Sequence, residues 1–380
     1  MQDNLALDDD QMMIRDSAEE FLAEVSSSAA VRSAMETETG FDAGTWSRIG
    51  RDMGWCGIQV SETYGGLGLS WVELTVLLEQ MGRRLLCSPF FSSVCLAATA
   101  LLETANEAAR SLYLPGIAAG RLTATLGFGA QGIEWNPDTV TSVARRTPEG
   151  FILDGSFRHV VDGATAELLL LTAKLDGEVA LFALPRSSAG LTSEAHASID
   201  RTRRVASVVL EGVAAAGDAL LARGDPACEG LSRTSALAAI ALGAEQLGGA
   251  QQCLDLTLQY TSGRVQFGRT INSFQAVKHR CAQMMVMIEA ARSALIGAAH
   301  RVGAGAATED LLLEAACVKT FASEAFYFCA AEAIQLHGGV GFTWDYDPHL
   351  YFKRAQMSGH WLGSADAMRE RAAAALLDGT

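Results

Sequence analysis

The sequence predicts an α+β chain in three parts: an N-terminal helical domain over residues 1–120, a middle antiparallel β domain over 121–225, and a C-terminal domain of four-helix-bundle type over 226–380. Three observations predict it. Helical periodicity and capping signals fill the first 120 residues. Short β-branched runs, separated by Gly, Pro, Asp and Ser, take over from about 121 to 211. Long helical segments return from about 230 onward. At 380 residues the chain also exceeds the size at which a single core keeps growing. With 49% hydrophobic and 19% charged residues, it is no mostly disordered chain.

Residues 8–25 are amphipathic and open with a run of acids suited to a helix N-terminus. Gly54-Trp55 and residues 62–68 form a glycine-rich turn. Ser70-Trp71-Val72-Glu73 reads as a capping box before a helix running to about Leu86. Ser88-Pro89 places a capping hydroxyl and an N1 proline at the start of another. In the middle domain, strands are expected at 139–143, 167–172, 179–184 and 205–210. Helices are then expected at 230–262, 274–303 and 308–336, followed by two shorter ones. The sulfur- and methyl-rich run Met284-Met285-Val286-Met287 sits at helical spacing and is expected in the core.

The charge balance excludes some functions. A formal net charge of −15 argues against a nucleic-acid partner, which needs clustered Lys and Arg to neutralise phosphates. No basic segment followed by an apolar one opens the chain, so secretion is not expected, and the apolar runs are too short to span a bilayer. Eight scattered cysteines with no C-x-x-C and no metal-ligand spacing read as reduced core thiols of a cytoplasmic protein.

Two segments carry chemistry. The first is Arg264-Val265-Gln266-Phe267-Gly268, continued by Ile271 and Phe274-Gln275. The second, about 60 residues on, is Gln335-Leu336-His337-Gly338-Gly339-Val340-Gly341. An Arg fork can hold a pyrophosphate bidentately, and paired glycines let backbone N–H groups approach a dinucleotide. Gln266 and Gln335 add neutral donors and acceptors for a ribose or adenine edge. In this order and spacing the pair resembles the flavin-binding motifs of the acyl-CoA dehydrogenase family, and the three-part architecture resembles that family over the whole chain. The resemblance implies FAD as cofactor, an acyl-CoA thioester as substrate, α,β-desaturation as the reaction, and an electron-transfer acceptor for the reduced flavin. It assigns FAD contacts to Arg264, Gln266, Phe267, Ile271, Phe274, Gln275, Gln335, Gly338 and Gly339.

Desaturation needs a carboxylate to remove a weakly acidic α-proton and donors to polarise the thioester carbonyl. Where most family members carry the Glu, this chain has Leu362, whose backbone N–H survives. Where a minority carry it, this chain has Ala238. Seven residues on, Glu245 faces the same way, about two turns and roughly 10 Å along the helix. It lies after the apolar run 236–244, where desolvation would raise its pKa, and the small side chains upstream would leave room for a bulky acyl group. Glu245 therefore reads as the candidate base, or as an acid at a polar seam between helices.

The family's flavin-facing β-domain segments are altered. Residues 126–130 read Leu-Gly-Phe-Gly-Ala, and by position His159 stands for a Trp and Val161 for a Thr. Eroded β-domain motifs beside intact C-terminal ones imply a heteromeric enzyme, α2β2 with a sister subunit, the alternatives being a homotetramer or a non-catalytic supporting or ligand-binding chain. Residues 341–354 further resemble actinobacterial dehydrogenases of sterol side chains. Asp200-Arg201-Thr202-Arg203-Arg204 resembles a family segment as well, and reads as a solvated turn or a contact for CoA phosphates.

Overall fold

The computed structural model describes residues 7–129 and 135–377. Helices before the sheet are α1 (Asp9–Val25), α2 (Ser28–Glu36), α3 (Ala43–Ser47), α4 (Trp71–Arg83), α5 (Thr99–Thr104) and α6 (Glu107–Ala118). Strands β1 (Ala124–Gly127), β2 (Val143–Thr147), β3 (Gly150–Val161), β4 (Leu168–Leu175), β5 (Glu178–Pro185), β6 (Leu191–Ala195), β7 (Val205–Ala215) and β8 (Leu220–Arg223) follow. After them come α7 (Asp225–Gly263), a hairpin of β9 (Val265–Gln266) and β10 (Arg269–Thr270), then α8 (Gln275–Gly303), α9 (Thr308–His337), α10 (Pro348–His360) and α11 (Ala365–Leu377).

The chain forms two compact units. One comprises the chain up to Ser33, Trp71–Leu86 and everything from Ala239; the other comprises Ala34–Ser70 and Cys87–Ala238. Residues 1–120 contribute to both. Local chemistry sets the helix ends. Asp8 caps α1 by accepting from the Gln11 N–H at 2.8 Å, while the Gln11 side chain accepts from the Asp8 N–H. α4 stops at Arg83, short of the expected Leu86, and Leu85 takes a left-handed φ of 48°. Past Ser88-Pro89 the backbone winds as a π-helix over Phe91–Ala98, all of it buried, before α5.

In the second unit the strands form one eight-stranded sheet ordered β6-β7-β3-β2-β4-β5-β8, with β1 beside β4. It is mostly antiparallel, as expected, with β1–β4 and β2–β4 running parallel. Asp176 and Gly177, both at positive φ, make the two-residue turn of the β4–β5 hairpin. The strand expected at 139–143 instead starts at Val143. Pro137 and the Asn136 cap, whose side chain accepts from the Asp138 N–H at 2.8 Å, turn the preceding residues into a 3-10 segment. Phe157, Phe182, Leu171 and Val208 form the core against the sheet.

In the first unit, α4 and α7 approach with almost nothing between them. A Cβ on Gly82 would lie 1.9 Å from the Glu245 carbonyl oxygen, and one on Gly248 would lie 1.8 Å from that of Glu79. On another side of α7, Gly243 faces Val318 and Gly249 faces Phe326, both of α9. Along α8 the buried stripe is Cys281, Met284, Ile288, Ala291 and Leu295. Met285 and Val286 face outward at 56% and 66% exposure, which corrects their expected place in the core. All eight cysteines are free thiols. No helix among the described residues is long and apolar enough to cross a membrane.

Candidate functional site

The two motifs are brought side by side by a ring stack. Tyr260, on the last turn of α7, stacks on His337 at the end of α9, centroids 4.3 Å apart and planes within 20°. His337 is buried. Its Nδ1–H donates to the Ala333 carbonyl at 2.6 Å, and burial holds its pKa below the usual imidazole value, so a neutral ring stacks there. The Arg264 N–H donates to the Tyr260 carbonyl at 3.0 Å, so the hairpin leaves directly from that stack, while Gly338 follows His337 immediately.

The β9–β10 hairpin turns at Phe267 and Gly268, both at positive φ (54° and 78°). For a phenylalanine that conformation costs about 1 kcal/mol. The residue is 92% exposed, its ring edge-on to Phe274 with centroids 6.2 Å apart. Arg269 lies over the Phe274 ring at 3.9 Å. Among the described residues the Arg264 guanidinium and the Gln275 and Gln335 amides make no ion pair or hydrogen bond, and all three residues are exposed. Gln266 is exposed too, and its side-chain amide donates to the neighbouring Val265 carbonyl at 2.9 Å. Ile271 is half-buried behind them.

The glycines test whether a dinucleotide fits. Gly338 adopts φ 66°, ψ −148°, a region open essentially to glycine alone. Gly339 has an ordinary φ, and a Cβ there would meet nothing within 4 Å, so the chain itself does not require glycine. Gly341 differs: its Cβ would collide with His337 and Ile334 at 2.9 Å. A residue kept small against empty space, beside unused guanidinium and amide groups, fits a cradle for a pyrophosphate and adenosine.

Glu245 is buried with its carboxylate against Arg354, Oε1 3.1 Å from Nη1, the side chains 6% and 4% exposed. The cavity beside the pair is about 10 Å³, room for one water at most. Around it Gln246 donates to Ser358 Oγ and accepts from Ser323 Oγ, each at 3.1 Å. Lys319, fully buried, donates to Ser323 Oγ (2.8 Å) and to the Ser358 and Gly359 carbonyls (3.0 and 3.1 Å) at the end of α10. Burial pushes its pKa down to about 7. The upstream run from Ala236 to Leu242, expected to leave room for an acyl group, is closed, each residue at most 1% exposed. No local signal in the sequence pairs Arg354 with an acid 109 residues away, or marks Lys319 as part of the same buried network.

Leu362, at the usual base position, is buried at φ 57°, with Gly363 following at φ 109°. His159 sits at φ 57° in a β-bulge, its ring edge-on to His196 at 5.5 Å. Val161 is buried, and its carbonyl accepts from Thr125 Oγ1 at 2.5 Å. Of the segment 126–130, Ala130 lies outside the described residues. The basic cluster is no solvated turn. Arg201 and Arg204 both donate to the Met35 carbonyl, at 3.1 and 2.9 Å, and Arg203 is buried over the Phe91 ring at 4.7 Å. Asp200 accepts from the Thr202 N–H at 2.9 Å.

Comparison with known proteins gives the family. The model of the acyl-CoA dehydrogenase N-terminal domain matches residues 8–121, and that of the C-terminal domain matches 232–377. Acyl-CoA dehydrogenase IpdE2 of Mycobacterium tuberculosis is 33% identical over 358 residues, 94% of each chain. IpdE2 of Mycolicibacterium smegmatis is 31% identical over 94% of this chain and 96% of its own. Among solved structures, a chain of the ChsE4-ChsE5 complex from Mycobacterium tuberculosis superimposes with a TM-score of 0.88 at 25% identity over 98% of both chains. A chain of the Tcur3481-Tcur3483 steroid ACAD does so at 0.86 and 28%, over 97% of this chain and 98% of that one. With relatives this similar along nearly its full length, the chain belongs to the acyl-CoA dehydrogenase family.

Proposed function

We propose that this chain is a subunit of an FAD-dependent acyl-CoA dehydrogenase that introduces an α,β double bond into a bulky acyl-CoA thioester, a steroid side chain being the candidate class. In this reading it works in the cytoplasm in a heteromeric α2β2 assembly with a sister chain, which supplies the catalytic base. The observation that carries the reading is the outward-facing hairpin and glycine cradle: a costly Phe267 conformation, unused donors on Arg264, Gln275 and Gln335, and a Gly339 facing empty space. Such a surface gains its stabilising contacts from another molecule.

When bound, FAD would supply the hydride acceptor for the β-hydrogen. Arg264 would hold the pyrophosphate, Gln266 and Gln335 would meet ribose and adenine edges, and Gly338-Gly339 would admit the backbone to the phosphates. Phe267, Ile271, Phe274 and Gln275 shape and cover that site. An electron-transfer acceptor is the expected redox partner of the assembly. Glu245, which sequence alone leaves open as base or seam residue, is read as the latter. Its ion pair with Arg354 and the water-sized cavity leave no path for an acyl Cα to its carboxylate. The two-chain names of the ChsE4-ChsE5 and Tcur3481-Tcur3483 neighbours, the second a steroid ACAD, support the assembly and substrate class.

Flavin stoichiometry tests the reading. Expressed alone, the chain should bind little FAD; co-expressed with a sister chain whose β-domain motifs are complete, it should yield about one flavin per heterodimer. A homotetramer with one tight FAD per chain, seen by absorbance and mass, would overturn the heteromeric assignment.

A further inference from the structure

Arg83 and Arg84 are neighbours at the end of α4 with opposite environments. Arg83 Nη2 bonds Asp255 Oδ2 at 2.7 Å. The Arg84 guanidinium has no ion pair and no hydrogen bond among the described residues; only its backbone is engaged, the N–H donating to the Gln80 carbonyl at 3.3 Å and the carbonyl accepting from Ser26 Oγ at 3.0 Å. Arg84 is half-buried and lines a cavity of about 310 Å³ within the unit built from α1, α4 and the C-terminal helices. Gln252 and Gln259 line it too, and their side-chain amides make no hydrogen bond among the described residues. The one carboxylate in the wall, Asp347, is already neutralised by Arg32 at 2.6 Å and accepts a hydrogen bond from Ser28 Oγ at 2.7 Å. The start of α2, at Ser28 on the rim, adds its partial positive charge.

We propose that this cavity binds a small anionic amphiphile, a carboxylate or phosphate-ester head on a short apolar body. The head pairs with Arg84 and accepts from the Gln252 and Gln259 amides. The body lies against Leu85, Leu256 and Leu350 in the same wall. A half-buried guanidinium without a counter-ion gains most from a charge-assisted hydrogen bond, and a bidentate oxyanion matches its fork. The volume sets the size: about 310 Å³ is larger than a bare phosphate needs and sits at the lower end for small-ligand sites. On a chain of net charge −15, binding here depends on local pairing, not on long-range attraction. The proposal is independent of the flavin reading, and neither stands or falls with the other.

Calorimetric titration of the full chain, in the assembly in which it purifies, tests it with four probes: hexyl phosphate, heptanoate, inorganic phosphate and hexanol. At least one of the two amphiphilic anions is expected to bind saturably, once per chain. It should bind more tightly than inorganic phosphate, which lacks the body, and than hexanol, which lacks the charge. The tighter of the two identifies the head group. Arg84→Gln should weaken that binding by roughly tenfold or more. Gln252→Leu should weaken it by a smaller factor, and it keeps the test decisive if the first variant does not fold. No saturable binding of either anion at millimolar concentration overturns the proposal. So does wild-type affinity in Arg84→Gln, or in Gln252→Leu if that is the variant that folds.

Discussion

Replacing Glu245 by Gln separates the two roles an acid can have at that position. The Glu245–Arg354 pair is 6% and 4% exposed, so neither charge is screened by bulk water. Removing one partner of such a pair leaves the other charge buried without its counter-ion and typically costs about 3–5 kcal/mol. The Gln amide keeps a hydrogen-bond acceptor for Arg354, which places this variant toward the lower figure. At about 2–4 °C per kcal/mol for a unit of this size, the melting temperature should fall by roughly 10 °C. Differential scanning fluorimetry measures that fall; anaerobic bleaching of the flavin by substrate, on the assembly kept well below its melting point, measures the chemistry. A seam residue predicts a large thermal loss with bleaching at the wild-type rate. A catalytic base predicts the reverse, an unchanged melting temperature and bleaching slowed by about 10²- to 10⁴-fold. That second pattern would refute the structural assignment. The double change Glu245→Leu with Arg354→Met should recover most of the lost stability, because it removes both charges together.

Arg264→Ala should lower FAD retention in the flavin-bearing assembly by a few kcal/mol of binding, read as flavin lost on gel filtration, since a phosphate would be left without its cation. Gly339→Val should do the same with an unchanged melting temperature, because nothing in the chain opposes the added side chain. Phe267→Gly relieves a left-handed φ of 54° and should stabilise the isolated chain by about 1 kcal/mol in urea while weakening its association with a sister chain. Lys319 has a folded pKa of about 7 against an ordinary value near 10.5, so between these pH values the unfolded chain binds more protons than the folded one. Its contribution to stability is therefore complete above about 10.5 and lost as pH falls toward 7, with a slope of at most about 1.4 kcal/mol per pH unit. In urea titrations from pH 7 to 9, Lys319→Met should flatten that slope; an unaltered slope would contradict the assignment.

What the sequence displayed and what it hid follow from the range of the interactions. The long helices α7, α8 and α9 are legible because their apolar stripes repeat over many turns, and β4, β5 and β7 because short apolar runs, Val-rich in β7, are bounded by turn residues. β3, twelve residues long, is not. Two register shifts, and a stretch from Asp154 to His159 in which Phe157 is the one apolar side chain, break its alternation. The flavin-type motifs could be read because each is contiguous, but their juxtaposition depends on Tyr260 meeting His337, which no local pattern encodes. The same holds for Glu245. An acid beside an apolar run is visible in sequence, whereas the Arg354 that accounts for it is supplied through space. The basic cluster at 200–204 looked solvated because its partners, the backbone carbonyls near Met35, lie about 165 residues earlier.

The close contact between α4 and α7 also bears on how the chain folds. Gly82 and the Glu245 backbone are in van der Waals contact, yet roughly 160 residues separate them, and that stretch includes the whole sheet. Closing so long a loop from an open chain is entropically costly, and contacts of such sequence separation form slowly. The route open to this chain is to collapse the inserted segment, Cys87–Ala238, first, which shortens the effective distance between the two glycine-bearing helix surfaces. On a ribosome, α4 would emerge long before α7 and wait with its glycine face uncovered. A chaperone that shields that face during synthesis should raise the yield of native protein more than one acting on the finished chain.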